Sequence, residues 1–131
     1  MKDMVVDQFQ YTVQELLIRN KSILDIITKL QDSSSRVNRS IIKAVTQCGC
    51  ISIDASKQEF PEDFELDKIR NLLKSHVNGT LCENCHDIIE KEIGQNLFYL
   101  ASLCNTLDLN LYDIFIKENE RVRMLDKYNL R

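Results

Sequence analysis

Glycine, proline and tryptophan are the residues that this chain lacks or nearly lacks. It has three glycines, one proline and no tryptophan in 131 residues. Sheet proteins need turn residues at every reversal, so this scarcity excludes most sheet architectures and favours helices. A hydrophobic content of 44% is ordinary for a globular chain and argues against extensive disorder. We therefore expect a single helical domain over residues 1–131.

Excess positive charge and long apolar runs are also missing. The net charge is −3 and the pI is near 5.4, whereas nucleic-acid binding normally requires a basic stripe. No segment has the roughly 20 apolar residues that span a bilayer. The first segment, "MKDMVVDQFQYTV", carries acids among its apolar residues and does not resemble a signal peptide. We expect a cytoplasmic protein with reduced thiols and with no membrane or nucleic-acid partner.

Hydrophobic periodicity predicts the helices of the N-terminal half. Residues 5–19 carry one apolar face, formed by Phe9, Val13, Leu16 and Leu17. Ser22 offers an N-cap for the next and most regular helix. Its predicted seam follows a four-three spacing: Ile23, Ile27, Leu30, Ser34, Val37, Ile41 and Ala44. The serine at its centre indicates either a polar pocket or a close crossing of two helices.

The helical pattern stops between residues 47 and 61 and then resumes. "CISID" alternates and predicts a short strand, and residues 66–77 predict a short helix ended by Asn78-Gly79. A long helix is predicted over residues 83–107, with the apolar face Ile89, Ile93, Leu97, Leu100, Ala101 and Cys104. "DLN" connects it to a last helix with the apolar positions Leu111, Ile114, Phe115, Val122 and Leu125. The predicted fold is all-α, an antiparallel bundle of four to five helices.

Cysteine is the residue whose spacing carries chemistry. Four of the five cysteines form two tight pairs, Cys48-Gly-Cys50 and Cys82-x-x-Cys85. Zinc prefers four soft ligands in a tetrahedron, and close pairs on turns supply two thiolates from one corner. We predict a structural zinc site formed by Cys48, Cys50, Cys82 and Cys85. It would stabilise a cysteine-rich insert at residues 46–86, between the two central helices.

Other readings of the cysteines remain open. A redox pair is possible, although no βαβ pattern precedes the C-x-x-C. Structural disulfides are disfavoured in a reducing compartment. His86 is a possible substitute ligand, and Cys104 lies on an apolar stripe as expected of a small buried hydrophobe.

The C-terminal half carries a family pattern. In "KEIGQNLFYLASLCNTLDLNLYDIFIKENERVRML", residues 92–100 precede a tight turn and a short final helix. This segment resembles the second half of MazG-like all-α nucleoside triphosphate pyrophosphohydrolases, which show a run like E-E-x-G-D-v-L-f-Y-L. The upstream "TKLQDSSSRVNRSI" lies where that family has K-L-x-E-E-x-x-E. The resemblance covers roughly half the chain and implies a MazG-like helical bundle.

The resemblance also implies a magnesium site, which this chain only partly retains. In the family, carboxylates on two facing helices hold Mg²⁺ ions that bridge the triphosphate and activate water. The matching positions here are Gln31, Asp32 and Ser35 in the first motif, and Glu92 and Gln95 in the second. Because glutamine and serine carry no negative charge, only Asp32 and Glu92 remain as weak catalytic candidates.

Three functions of different classes are compatible with these residues. The first is a non-catalytic, zinc-stabilised helical module that binds a second copy of itself or an unknown protein partner. The second is a Mg²⁺-dependent nucleoside triphosphate pyrophosphohydrolase with an altered acid set, drawn from Asp25, Asp32, Asp87, Glu90 and Glu92. The third is a thiol and zinc redox sensor. The missing acids favour the first, with a dimer as the expected assembly.

Overall fold

The computed structural model describes residues 4–17, 21–59 and 72–128, with side chains described as far as residue 125. Its four helices are α1 (Met4–Leu16), α2 (Ile23–Lys43), α3 (Glu83–Thr106) and α4 (Leu111–Tyr128). A π-helical turn, Ala44–Cys48, extends α2, and two short strands follow, β1 (Ile51–Ile53) and β2 (Val77–Gly79). The chain is mostly helical, as its composition predicts. Ser22 caps α2 by accepting a hydrogen bond from the Leu24 N–H at 3.2 Å.

The central pair of helices, α2 and α3, forms the main packing contact of the described chain. The two are antiparallel, because Cys48 at the end of α2 lies beside Cys82 at the start of α3. Midway along, the Asn96 Nδ2 of α3 donates to the Ser34 Oγ of α2 at 3.1 Å. The seam between the helices therefore runs from the cysteine pairs along most of both helices.

The predicted seam of α2 is only partly correct: Ala44 is buried and Ile23, Leu30 and Val37 are half-buried, but the other three positions are displaced by one residue. Ser34 and Ile27 are exposed, and the buried positions are Ile26, Ser33 and Ser40. These three positions are seven residues apart and lie along one line of the helix. Ser33 and Ser40 are small and allow close approach of α3, whereas the bulkier Ile27 and Ile41 lie beside the line and are exposed. Ser33 rather than Ser34 lies at the centre of this buried line.

A buried cluster joins α1 to the C-terminal half of α3 and to the start of α4. It contains Val13, Ala101, Cys104 and Leu111, with Phe9 and Phe98 packed against it. The Gln10 side chain fixes the turn after α3: its Nε2 donates to the Leu109 carbonyl at 2.8 Å, and its Oε1 accepts from the Leu111 N–H at 2.8 Å. This glutamine thus satisfies a backbone group at the beginning of α4 that has no partner within the helix.

The strand predicted in "CISID" is present, but part of the short helix predicted over residues 66–77 is wrong. Residues 60–71 lie outside the described chain. Beyond them, Val77–Gly79 form β2, which pairs antiparallel with β1 in the register Ile51↔Gly79 and Ile53↔Val77. His76 has a φ of 65° and Gly79 a φ of 90°, which are not helical values. Asn78-Gly79 therefore belongs to a strand and does not end a helix.

The predicted apolar faces of α3 and α4 are only partly covered. On α3, Ile89, Ala101 and Cys104 are buried, whereas Ile93 and Leu97 are 45% and 39% exposed. On α4, only Leu111 of the predicted face is buried. The rest of that face is exposed by 38–52%: Ile114, Phe115, Val122 and Leu125. These residues have nothing packed over them within the described chain that would bury them.

None of the described helices is both long enough and apolar enough to cross a membrane. The longest, α3, carries acidic and basic residues along its exposed side.

Candidate metal centre

The first cysteine pair lies where α2 ends. The π-helical turn widens the last turn of the helix and ends at Cys48. Gly49 follows in the left-handed conformation, with a φ of 81°, and its N–H bonds to the Ala44 carbonyl at 2.8 Å. That conformation costs glycine little and reverses the chain sharply. As a result, Cys48 and Cys50 lie on the two sides of one tight turn.

The second pair lies where α3 begins. Cys82 is the N-cap residue of α3, and its sulfur accepts a hydrogen bond from the Cys85 N–H at 3.4 Å. Cys85 lies in the first turn of the helix and is buried. A helix N-terminus stabilises negative charge, so the N-cap position favours a thiolate at Cys82.

The pairing of β1 with β2 brings the two cysteine pairs next to each other. Ile51 of β1 joins Ala44, Cys85 and Ile89 in a buried cluster, against which Cys50 and Cys82 also pack. A Cβ on Gly79 would lie 2.6 Å from the Cys50 carbonyl oxygen, far inside contact distance. Only glycine therefore fits this position of β2, where the hairpin closes onto the first cysteine turn.

The four sulfur atoms lie within 4.8 Å of one another. Cys48 Sγ and Cys82 Sγ are 3.8 Å apart, and all four cysteines are free thiols. In a tetrahedron with metal–sulfur bonds of about 2.3 Å, adjacent sulfurs are separated by about 3.8 Å. The four side chains that the spacing selected are thus close enough together to hold one metal ion.

The thiol pKa values show how the cluster favours a cation. The Cys85 N–H, together with the Cys85 thiol, lowers the pKa of Cys82 to about 7. The Cys82 sulfur in turn raises the pKa of Cys85 to about 12, and burial acts in the same direction. Cys82 therefore forms a thiolate near neutral pH, and the negative charge of that thiolate disfavours deprotonation of Cys85. A divalent ion at the centre would offset that repulsion.

No protein-family model matches this chain, and no solved structure matches it. The MazG-like resemblance accordingly depends on the motif residues in the sequence.

The remaining cysteine and the nearby histidine are placed apart from the four sulfurs. Cys104 is buried beside Val13 and Ala101, and burial raises the pKa of its thiol. His86 is exposed, and its Nδ1 lies 2.6 Å from the Glu90 Oε1. His86, Asp87 and Glu90 form a separate exposed group at the start of α3. The sequence left His86 open as a substitute zinc ligand. In the structure it belongs to a group separate from the four cysteines.

The two acidic residues that match the family's motifs, Asp32 and Glu92, lie on the two facing helices α2 and α3. Asp32 of α2 and Glu92 of α3 line the same cavity, together with Gln95. Asp32 forms an exposed ion pair with Arg36, with 3.1 Å between Oδ2 and Nε. Three cations, Lys29, Arg36 and Lys91, line that cavity with the two acids. The pair is therefore brought together, but in surroundings that do not concentrate negative charge as a hard dication requires.

The sequence patterns pointed neither to Ser33, which lines the cavity of Asp32 and Glu92, nor to Gly79, which contacts the Cys50 backbone. Ser33 was missed because the hydrophobic periodicity predicted that the neighbouring residue, Ser34, would be the buried one. Gly79 was read as a helix stop, and only the pairing of β1 with β2 reveals its contact with the Cys50 backbone.

Proposed function

We propose that this chain is a non-catalytic helical module with a MazG-like fold, stabilised by one structural zinc ion on Cys48, Cys50, Cys82 and Cys85. The observation that carries the proposal is the cluster of four sulfurs within 4.8 Å. An all-thiolate set favours zinc over calcium or magnesium, which prefer oxygen ligands. Four protein ligands leave no open position for substrate, which is typical of a structural rather than a catalytic site.

The zinc would hold together parts of the chain that have few other contacts. The turn after α2, the hairpin and the start of α3 share only a small buried cluster, formed around Ala44, Ile51, Cys85 and Ile89. Metal binding energy becomes folding energy where an apolar core is this small. The zinc would thereby fix the end of α2 against the beginning of α3.

The module acts, in this proposal, by associating with a second copy of itself. Support comes from the α4 face of Ile114, Phe115, Val122 and Leu125, which is 38–52% exposed in the single chain. Soluble monomers rarely expose so many apolar residues along one helix. A symmetric dimer would bury the face against the same face or against the exposed Ile93 and Leu97 of α3. A cytoplasmic location, where the thiols stay reduced, is part of the same proposal.

The pyrophosphohydrolase alternative is supported only by the shared cavity of Asp32 and Glu92. Two carboxylates beside three cations make a poor site for paired magnesium ions. We therefore expect no release of pyrophosphate or phosphate above the protein-free control, across canonical and modified nucleoside triphosphates, with Mg²⁺ and then with Mn²⁺.

The matched variants for this assay are Glu92→Gln and Glu120→Gln. Both remove one carboxylate from an α-helix, but Glu120 lies on α4, away from the cavity. Release that disappears in Glu92→Gln and persists in Glu120→Gln would establish the enzyme and contradict the non-catalytic proposal.

A further inference from the structure

A groove of about 650 Å³ lies between α2 and α3 and reaches the cysteine cluster. Arg36, Arg39 and Lys43 of α2 line this groove together with Glu92 of α3. Among the described residues, these three cations and one carboxylate give the lining a net charge of +2, in a chain of net −3. Such a local reversal of charge attracts anions.

Two of the three cations are available to a ligand. Arg36 is paired with Asp32, but neither Arg39 nor Lys43 has an ion-pair partner in the part of the chain that the structure describes. Arg39 and Lys43 are four positions apart on α2 and therefore lie on one side of the helix. An anion in the groove can contact both of them without displacing an acidic side chain.

The groove also contains the most accessible thiol of the cysteine cluster. Cys48 lines the groove and is exposed, whereas Cys50 and Cys82 are half-buried. Cys85 lines the groove as well, but it is only 7% exposed. A molecule held by the two unpaired cations can therefore reach Cys48 more readily than any other sulfur of the cluster.

A second sulfur lies close to the Cys48 sulfur. The Sγ atoms of Cys48 and Cys82 are 3.8 Å apart. Disulfide exchange begins when a thiolate attacks one sulfur of a disulfide, and a neighbouring thiolate can resolve the mixed disulfide that results. Zinc ligands are thiolates, so the zinc-loaded cluster holds both sulfurs in the form that this reaction requires.

We propose that the groove binds an anionic low-molecular-weight disulfide and that Cys48 is the residue that this disulfide modifies. The Cys48 thiolate attacks one sulfur of the disulfide RSSR, a new S–S bond forms, and RS⁻ leaves with the electron pair of the broken bond. The Cys82 thiolate then attacks the Cys48 sulfur and expels the second RS⁻. RSSR is thereby reduced to two RS⁻, and the two cysteines are oxidised to one disulfide.

The reaction removes two of the four zinc ligands. Only the thiolates of Cys50 and Cys85 remain, which are too few for a tetrahedral thiolate site, so zinc is released. The inference rests on the zinc site of the proposed function, because zinc keeps the sulfurs as thiolates and its release reports the exchange. It adds to that site an oxidant class, a docking groove and an order of attack.

The test uses the full, zinc-loaded chain, whose zinc content is measured first by elemental analysis. Glutathione disulfide, which is net negative, is compared at low ionic strength with neutral hydroxyethyl disulfide and with cationic cystamine. Each rate of zinc release is divided by the rate of the same disulfide with a small neutral thiol, because leaving groups differ in reactivity. The corrected rate should be at least about fivefold higher for glutathione disulfide than for hydroxyethyl disulfide, and lowest for cystamine. Equal corrected rates would overturn the proposal.

Matched charge variants test whether the groove itself recognises the anion. Lys43→Gln should slow the reaction with glutathione disulfide about threefold and leave the reaction with hydroxyethyl disulfide unchanged, because only the anion loses a partner. Lys117→Gln removes the same charge from exposed α4 and should change neither rate. Equal slowing by the two variants, or slowing by Lys43→Gln of both disulfides alike, would contradict docking in the groove.

Peptide mass mapping of the wild type tests the order of attack without any cysteine variant. Samples quenched early should carry the mixed disulfide on Cys48, and late samples should contain the Cys48–Cys82 disulfide. Early modification of Cys50, Cys82 or Cys85 instead would overturn the assignment. A chain that purifies without zinc would refute the zinc site, and mapping would still score the exchange, so the two failures are distinguishable.

Discussion

Cys82→Ser is expected to abolish stoichiometric zinc binding and to lower the free energy of unfolding by about 4 kcal/mol or more. The serine keeps an N-cap oxygen for α3 but removes one of four thiolates, so the variant loses metal affinity rather than helix capping. Zinc contributes roughly 10–16 kcal/mol to the folding of small zinc peptides at neutral pH, and the loss of such a site is among the largest single-residue effects. Elemental analysis and urea unfolding monitored at 222 nm measure the two quantities.

The unfolding of Cys82→Ser should be local at first. The cluster of Val13, Ala101, Cys104 and Leu111 is separate from the cluster that contains Cys85. Most of the helical signal should therefore persist, while amides of the hairpin and of the Ala44–Cys48 turn lose protection from hydrogen exchange.

Cys104→Ala is the matched control for this experiment, because it also deletes one thiol. Cys104 is buried away from the four sulfurs, so this variant should keep its zinc and lose only packing energy. Wild-type zinc content in Cys82→Ser, or zinc loss in Cys104→Ala, would show that the metal is not held by the four-cysteine cluster.

The double variant Phe115→Glu, Val122→Glu is expected to convert the protein from a dimer to a monomer. The two residues are seven positions apart on α4, on one side of the helix, and are 49% and 52% exposed in the single chain. Burying two unpaired carboxylates in an apolar interface costs several kcal/mol. The dissociation constant should rise at least about 100-fold, or about 2.7 kcal/mol, as measured by sedimentation equilibrium.

Met124→Glu controls for the effect of charge on α4. Met124 is 62% exposed and lies nine positions after Phe115, about 180° around the helix. It should leave the dimer intact. A wild type that sediments as a monomer at all concentrations, or a dimer that survives the double variant, would refute the proposed self-association through α4.

The sequence specified the elements well because their patterns are local. Periodicity located α2 and α3 within a few residues of their ends and located the start of α4, and alternation in "CISID" identified β1. The short helix predicted over residues 66–77 was wrong in its last residues, since Val77–Gly79 pair with Ile51–Ile53. That pairing joins residues far apart in the chain, and local propensity carries no information on it.

The seam of α2 shows a second limit of sequence reasoning. The pattern correctly placed Leu30, Val37 and Ala44 on the covered side of α2, but it also predicted Ile27, Ser34 and Ile41 there. The structure buries Ile26, Ser33 and Ser40 in their place, because the small side chains of Ser33 and Ser40 allow α3 to approach closely. The same error missed Ser33, whose buried hydroxyl has no hydrogen-bond partner among the described residues. The cysteine cluster, in contrast, was identifiable in advance because two closely spaced pairs restrict the chemistry regardless of register.

X-ray absorption at the zinc edge of the purified, reduced protein tests the central claim most directly. The account predicts one zinc per chain, with four sulfur neighbours at about 2.3 Å and no nitrogen or oxygen in the first shell. A spectrum with oxygen or nitrogen ligands, or a protein that is folded and free of zinc after purification in zinc-containing buffer, would contradict it.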